Sequence, residues 1–210
     1  MTKKINSIKS IILPNKKINI FAICILLFGV ISGAIFVNII GLNDKNLVLD
    51  KIKLFIENIN NGSLDSISLL KNSISINLIY VFIIWILGMT MIGLIFNIFL
   101  LFFKGFIFSF TISSFILTYH YKGIILSLIY LLFGQLFNII IIFTLSIYSV
   151  SFSIELLKAI FKDNNSNSIK KSLKKYLYIL IISLVISIIS ALFESFILPA
   201  IIKLFIKLFI

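Results

Sequence analysis

The chain has 210 residues, of which 60% are hydrophobic and 12% charged, with a mean hydropathy of +1.19. Soluble domains are about half apolar and about a quarter charged, so this balance excludes them and points to a protein that crosses the bilayer several times. The net charge of +12 rests on nineteen basic residues, all lysine, whereas base and phosphate recognition leans on arginine, so no nucleic-acid partner is expected.

The lysines sit mostly at the ends of apolar runs, as the positive-inside bias and snorkelling require. Five of them lie in Met1 to Lys17 with no acid, which predicts a cytoplasmic N-terminus. A first span is expected over about 18–40, too long for a secretory h-region and so retained as a helix. Within it Gly29 and Gly33 stand four apart. Glycines at this spacing let a second helix approach the backbone, in the same chain or in a second copy.

The polar stretch 41–77 balances four lysines against four acids and is expected to be an extracytoplasmic loop. Inside it Leu47, Leu49, Ile52, Leu54, Phe55, Ile56 and Ile59 recur at helical spacing and predict an amphipathic helix on the membrane surface or against the bundle. "NNGSLDS" predicts a turn, with Ser63 or Asp65 as a plausible helix cap. The second span is expected over about 78–103, with Tyr80 and Trp85 toward its outer end as an aromatic belt.

Lys104 and Gly105 read as a two-residue break, with Lys104 snorkelling to the cytoplasmic interface. A third segment, about 106–119, is short for the roughly 30 Å hydrocarbon core. It either crosses or forms one arm of a re-entrant hairpin, and the lysine bias favours crossing. His120 is expected at the outer surface. A fourth span comes next over about 124–149, then a lysine-rich cytoplasmic loop, 155–175, and a fifth span over about 176–198. The tail "IIKLFIKLFI" places Lys203 and Lys207 four apart, on one face of an interfacial helix. The fold class is thus an all-α integral membrane protein of about five transmembrane helices, with an amphipathic loop helix and an amphipathic C-terminal tail, in one domain over 1–210.

Polar groups inside the spans are costly and are functional candidates by default. Gln135 and Asn138, three apart in "LFGQLFNII", face the same way. They serve either a contact with a neighbouring helix or the lining of a substrate path. Glu194, in "SALFESFILPA", falls about 27 Å along the fifth span at helical rise, near the outer interface. It is expected to bind a partner or to lock that span to the bundle. A single cysteine, Cys24, and a single histidine, His120, exclude a Cys/His zinc site within the chain, and neither a carboxylate pair nor a strained nucleophile turn nor a P-loop is visible. No enzyme activity, metal or cofactor is expected.

"FGVISGAIFVN", "YVFIIWILG", "LLFFKGFIFSF", "FGQLFN" and "ALFESFILP", taken in this order, resemble the stage II sporulation protein M family from about Phe21 to Pro199. Trp85 with Gly88, Lys104 with Gly105, and Glu194 ahead of Pro199 carry the more specific part of the likeness. Family members commonly have a proline where this chain has Gly134, so the kink that proline makes is not expected here. The resemblance implies a non-catalytic anchor in the mother-cell and septal membrane of endospore-forming bacteria. It implies partners too, the wall-degrading stage II sporulation proteins D and P. Self-association is a further expectation from the glycine spacing. The rival reading is the permease subunit of an ATP-driven transporter, since short or broken spans beside polar centres mark transporters.

Overall fold

The computed structural model describes residues 16–161 and 166–209, and every regular element in them is helical. Helix α1 (Lys16–Ile39) is followed by α2 (Leu42–Asn61), α3 (Ser66–Gly88) and α4 (Gly93–Ile129). A π-helical turn, Tyr130–Gln135, leads into α5 (Leu136–Phe161). Then come α6 (Ser166–Leu192), a second π-helical turn, Phe193–Ile197, and α7 (Leu198–Phe209). Among the described residues four stretches are long and apolar enough to cross a membrane: Lys16–Ile39, Ser66–Gly88, Gly93–Ile160 and Ile169–Lys207. This is an all-α membrane protein.

The amphipathic loop helix forms as the periodicity of 42–61 requires. Its apolar stripe buries Ile56 and Ile59. It stops at Gly62, whose φ of 70° is a left-handed conformation that glycine adopts without a Cβ penalty. Asp65 then caps α3, its carboxylate accepting from the Ile67 N–H at 3.1 Å, which satisfies one of the free amide groups of a helix start.

The helix boundaries of the next region depart from the expected 78–103 and 106–119. Helix α3 begins at Ser66, and the break falls at Met89–Ile92, ahead of Gly93. The turn there is built of apolar residues, "GMTMIG", and hides from a hydropathy reading. Thr90 supplies its chemistry, donating to the Leu87 carbonyl at 2.8 Å and accepting from the Gly93 N–H at 2.9 Å. Lys104 and Gly105 lie in continuous helix. Trp85 therefore stands near the C-terminal end of α3, not at the start of a span.

At His120 the backbone leaves helical geometry, with φ 48° and ψ −121°, a region that a non-glycine residue rarely occupies. The chain doubles back there. Gly123 packs against the backbone of Phe115 and Ile116, and the Phe115 and Tyr130 rings lie 5.6 Å apart. The first arm of α4 thus runs antiparallel to one long rod made of its second arm, the π turn and α5. Helix α1 runs parallel to the first arm, since Phe28 meets Phe102 while Phe36 meets Phe106 and Phe110.

The expected loop over 155–175 is mostly helix: α5 continues to Phe161 and α6 starts at Ser166, so only 162–165 lie outside the described residues. Charged residues are the signal for a loop, yet Lys170, Lys171, Lys174 and Lys175 ride on the exposed side of α6. Separate cores result. One joins α3, α5 and α6 through Val81, Ile84, Leu145 and Tyr176. Another gathers Ile56, Phe115, Leu126, Leu198 and Ile202, so that α2 and α7 cover the hairpin end together.

Candidate functional site

Three residues singled out along the sequence come together in space. Gln135 closes the first π turn and Glu194 lies in the second. A π turn inserts an extra residue into the helical ladder and re-aims the side chains around it. The second turn ends two residues before Pro199, which has no N–H to offer the ladder. Gln135 is buried, and its amide bridges two charges. Its Oε1 accepts from Lys104 Nζ at 3.2 Å, and its Nε2 donates to Glu194 Oε1 at 3.1 Å. Ser73 of α3 donates to the other carboxylate oxygen at 3.0 Å. The amide dipole is oriented to suit both charges, carbonyl toward the ammonium and amino group toward the carboxylate, and hydrogen bonds to charged groups are the stronger kind.

Lys104 therefore does not snorkel to the cytoplasmic interface. It lies about 17 Å along α4 from Gly93 at helical rise, with its ammonium 5.8 Å from the centre of the Tyr80 ring. Lys104 and Glu194, expected at opposite ends of the bundle, share one glutamine. The cause is the displaced break: once 104 is interior to a helix, its side chain turns into the bundle.

The network borders a cavity of about 320 Å³, whose walls include Ser73, Asn77, Lys104, Gln135 and Glu194. Asn138 does not line it. Its Nδ2 donates to Asn77 Oδ1 at 2.6 Å, which leaves the Asn77 Nδ2 buried and without a hydrogen-bond partner. Gln135 and Asn138 thus do face the same way and both reach α3, one by way of Glu194 and Ser73.

The remaining candidates serve packing. A Cβ on Gly29 or Gly33 would collide with the carbonyls of Phe102 and Phe106, and one on Gly105 would press on the Leu26 carbonyl. The glycine face of α1 is thereby consumed inside the chain by α4. Gly88 lies against the hydroxyls of Ser149 and Tyr176. Around it carbonyls near the end of α3, those of Trp85 and Gly88 being among the last four that lack a partner in their own helix, are met from other helices. Ser153 donates to Gly88 at 2.9 Å, Tyr176 to Trp85 at 2.9 Å, and Ser149 to Ile84 at 3.1 Å. Asn97 donates in turn to Ser149. The Trp85 ring stacks on Tyr176 at 6.3 Å.

Sequence reasoning misses Ser73, Asn77, Ser149, Ser153 and Tyr176. Ser73 and Asn77 fall in the expected loop because the start of α3 is polar. The three others sit at the ends of apolar runs, where hydroxyls are ordinary. Among the described residues no cluster of three or more His, Cys, Asp or Glu could hold a metal. No curated protein and no solved structure matches the chain. A protein-family model does match, over residues 22–199, and it is that of stage II sporulation protein M. That span takes in both π turns, the bridging Gln135 and Glu194. This chain is a member of the stage II sporulation protein M family, a family of sporulation-related membrane proteins.

Proposed function

We propose that the protein is a non-catalytic anchor that holds peptidoglycan-degrading enzymes at the septal and engulfing membrane during endospore formation. On this reading the four apolar stretches make five crossings, because Gly93–Ile160 turns back at His120, and the N-terminus lies in the cytoplasm. Helices α2 and α7 then lie outside. The observation that carries the reading is their joint packing over the hairpin end, where Ile56 and Ile59 meet Leu198, Ile202 and Phe205. This leaves Asp50, Lys53, Glu57, Lys203 and Lys207 exposed on a rigid polar platform, which suits enzymes working on the wall. The partners are the stage II sporulation proteins D and P.

The test is co-purification from sporulating cells with a tag on the N-terminus, after crosslinking. Both wall-degrading enzymes are expected, and charge reversal at Asp50 and Glu57 is expected to reduce their recovery without lowering the amount of protein in the membrane. Recovery of an ATPase in their place would overturn the anchor. That outcome belongs to a second reading, a permease subunit, which the polar cavity between α3 and α4 favours.

A further inference from the structure

The cavity beside Gln135 has features that a packing contact does not need. Small-molecule sites run from about 300 to 1,000 Å³ and combine apolar walls with a few placed polar groups, and at about 320 Å³ this one qualifies. Phe55, Leu69, Ile76, Ile107 and Leu198 form its apolar wall. One cation and one anion face it, held apart by Gln135. Lys104 commits one N–H to Gln135 out of three. Each oxygen of Glu194 accepts one bond and has room for another.

The mouth of the cavity identifies the source of the ligand. Ile76 on α3 and Ile107 on α4 both line it and are 54% and 46% exposed. The cavity therefore opens on the flank of the bundle, between two apolar stretches that can cross the membrane. Ser73, which holds Glu194, lies about 11 Å along α3 from Ser66 at helical rise, so the anion is on the side of the cavity nearer that end of the crossing.

We infer that this cavity binds the headgroup of a zwitterionic phospholipid entering sideways from the bilayer, with Lys104 taking the phosphate and Glu194 the ammonium. The charge pair discriminates. An anionic lipid offers the phosphate but leaves Glu194 without a cation, and like charge brought near a carboxylate in a half-buried site is disfavoured. This inference goes beyond the anchor and is independent of it, since lipid binding is read on purified protein without any partner.

The experiment uses full-length protein reconstituted in nanodiscs of phosphatidylethanolamine and phosphatidylglycerol in equal amounts, with the lipids retained after extraction counted by native mass spectrometry. Wild type is expected to retain phosphatidylethanolamine in about tenfold excess. Glu194→Gln is expected to bring the ratio close to one, whereas Lys104→Met, which removes the group that meets the phosphate of either lipid, is expected to lower retention of both and to leave the excess in place. Ile107→Trp, which blocks the mouth and leaves every polar group in place, is expected to lower total retention. It decides the matter even where a charge variant fails to fold. Equal retention of the two lipids by wild type, or an unchanged total retention in Ile107→Trp, overturns the proposal. So does a rise in melting temperature with free phosphoethanolamine equal to that with the lipid, which would reassign the site to a soluble zwitterion.

Discussion

The layer around Gln135 and the layer around Ser149 are both made of amides and hydroxyls drawn from helices far apart in sequence, and they put those groups to different uses. Around Ser149 the groups are buried and neutral. Ser149, Ser153 and Tyr176 donate to carbonyls at the end of α3, and Gly88 leaves no room for more than hydrogen between them. Around Gln135 two charged groups enter, two helices widen into π turns, and a cavity of about 320 Å³ is left beside them. Closing a helix end and leaving a space are thus achieved with the same vocabulary. What differs is whether the donors meet backbone, which is fixed, or other side chains, which hold charge and can exchange partners.

The comparison can be broken first at Gly88. Gly88→Val pushes a branched side chain into the Ser149 and Tyr176 hydroxyls, and overpacking of this kind costs about 3 kcal/mol. Titration of purified protein with denaturing detergent in mixed micelles should show that loss. A neutral result would mean that this layer yields and is not close-packed.

Gln135→Leu sharpens the other side. It removes the group that serves both Lys104 and Glu194 and is expected to cost about 2 kcal/mol in the same titration. Adding Lys104→Met and Glu194→Leu to it should recover part of the loss, because replacing all members of a polar set is less costly than orphaning some of them. Failure of the triple variant to recover would show that the charges are not coupled through the amide.

Smaller effects are expected at single neutral bonds. Asn138→Leu leaves the Asn77 amide without its remaining hydrogen bond, and about 1 kcal/mol is expected, within the range for interhelical hydrogen bonds in bilayers. Tyr176→Phe keeps the ring stacked on Trp85 and deletes only the hydroxyl. About 0.6 kcal/mol is expected there, and a thermal-melt shift larger than that of Asn138→Leu would reverse the ranking of the two layers.

Much of the local structure is legible in the residues. The spacing of Ile52, Phe55, Ile56 and Ile59 foretells α2, "NNGSLDS" the turn after it, and Ser63 or Asp65 a cap, of which Asp65 serves, because amphipathic period and capping chemistry act within a few residues. The break expected at Lys104 and Gly105 fails for the same reason. A lysine beside a glycine resembles a chain end when neighbours in space are unknown, while the real turn at Met89–Ile92 is apolar. Gly105 is small because α1 lies against it, a fact about packing.

The amino-acid sequence by itself determined that this is a helical membrane protein, where its amphipathic helices lie, and which polar side chains stand inside apolar runs. Only the tertiary structure decided which of those side chains meet. Ser73 and Glu194 are 121 positions apart, and their bond depends on the His120 reversal and on two π turns that rotate Gln135 and Glu194 toward each other. Hydropathy and period are properties of a short window of chain, whereas register between helices is set by the summed packing of many side chains, among them the glycines that bring α1 against α4.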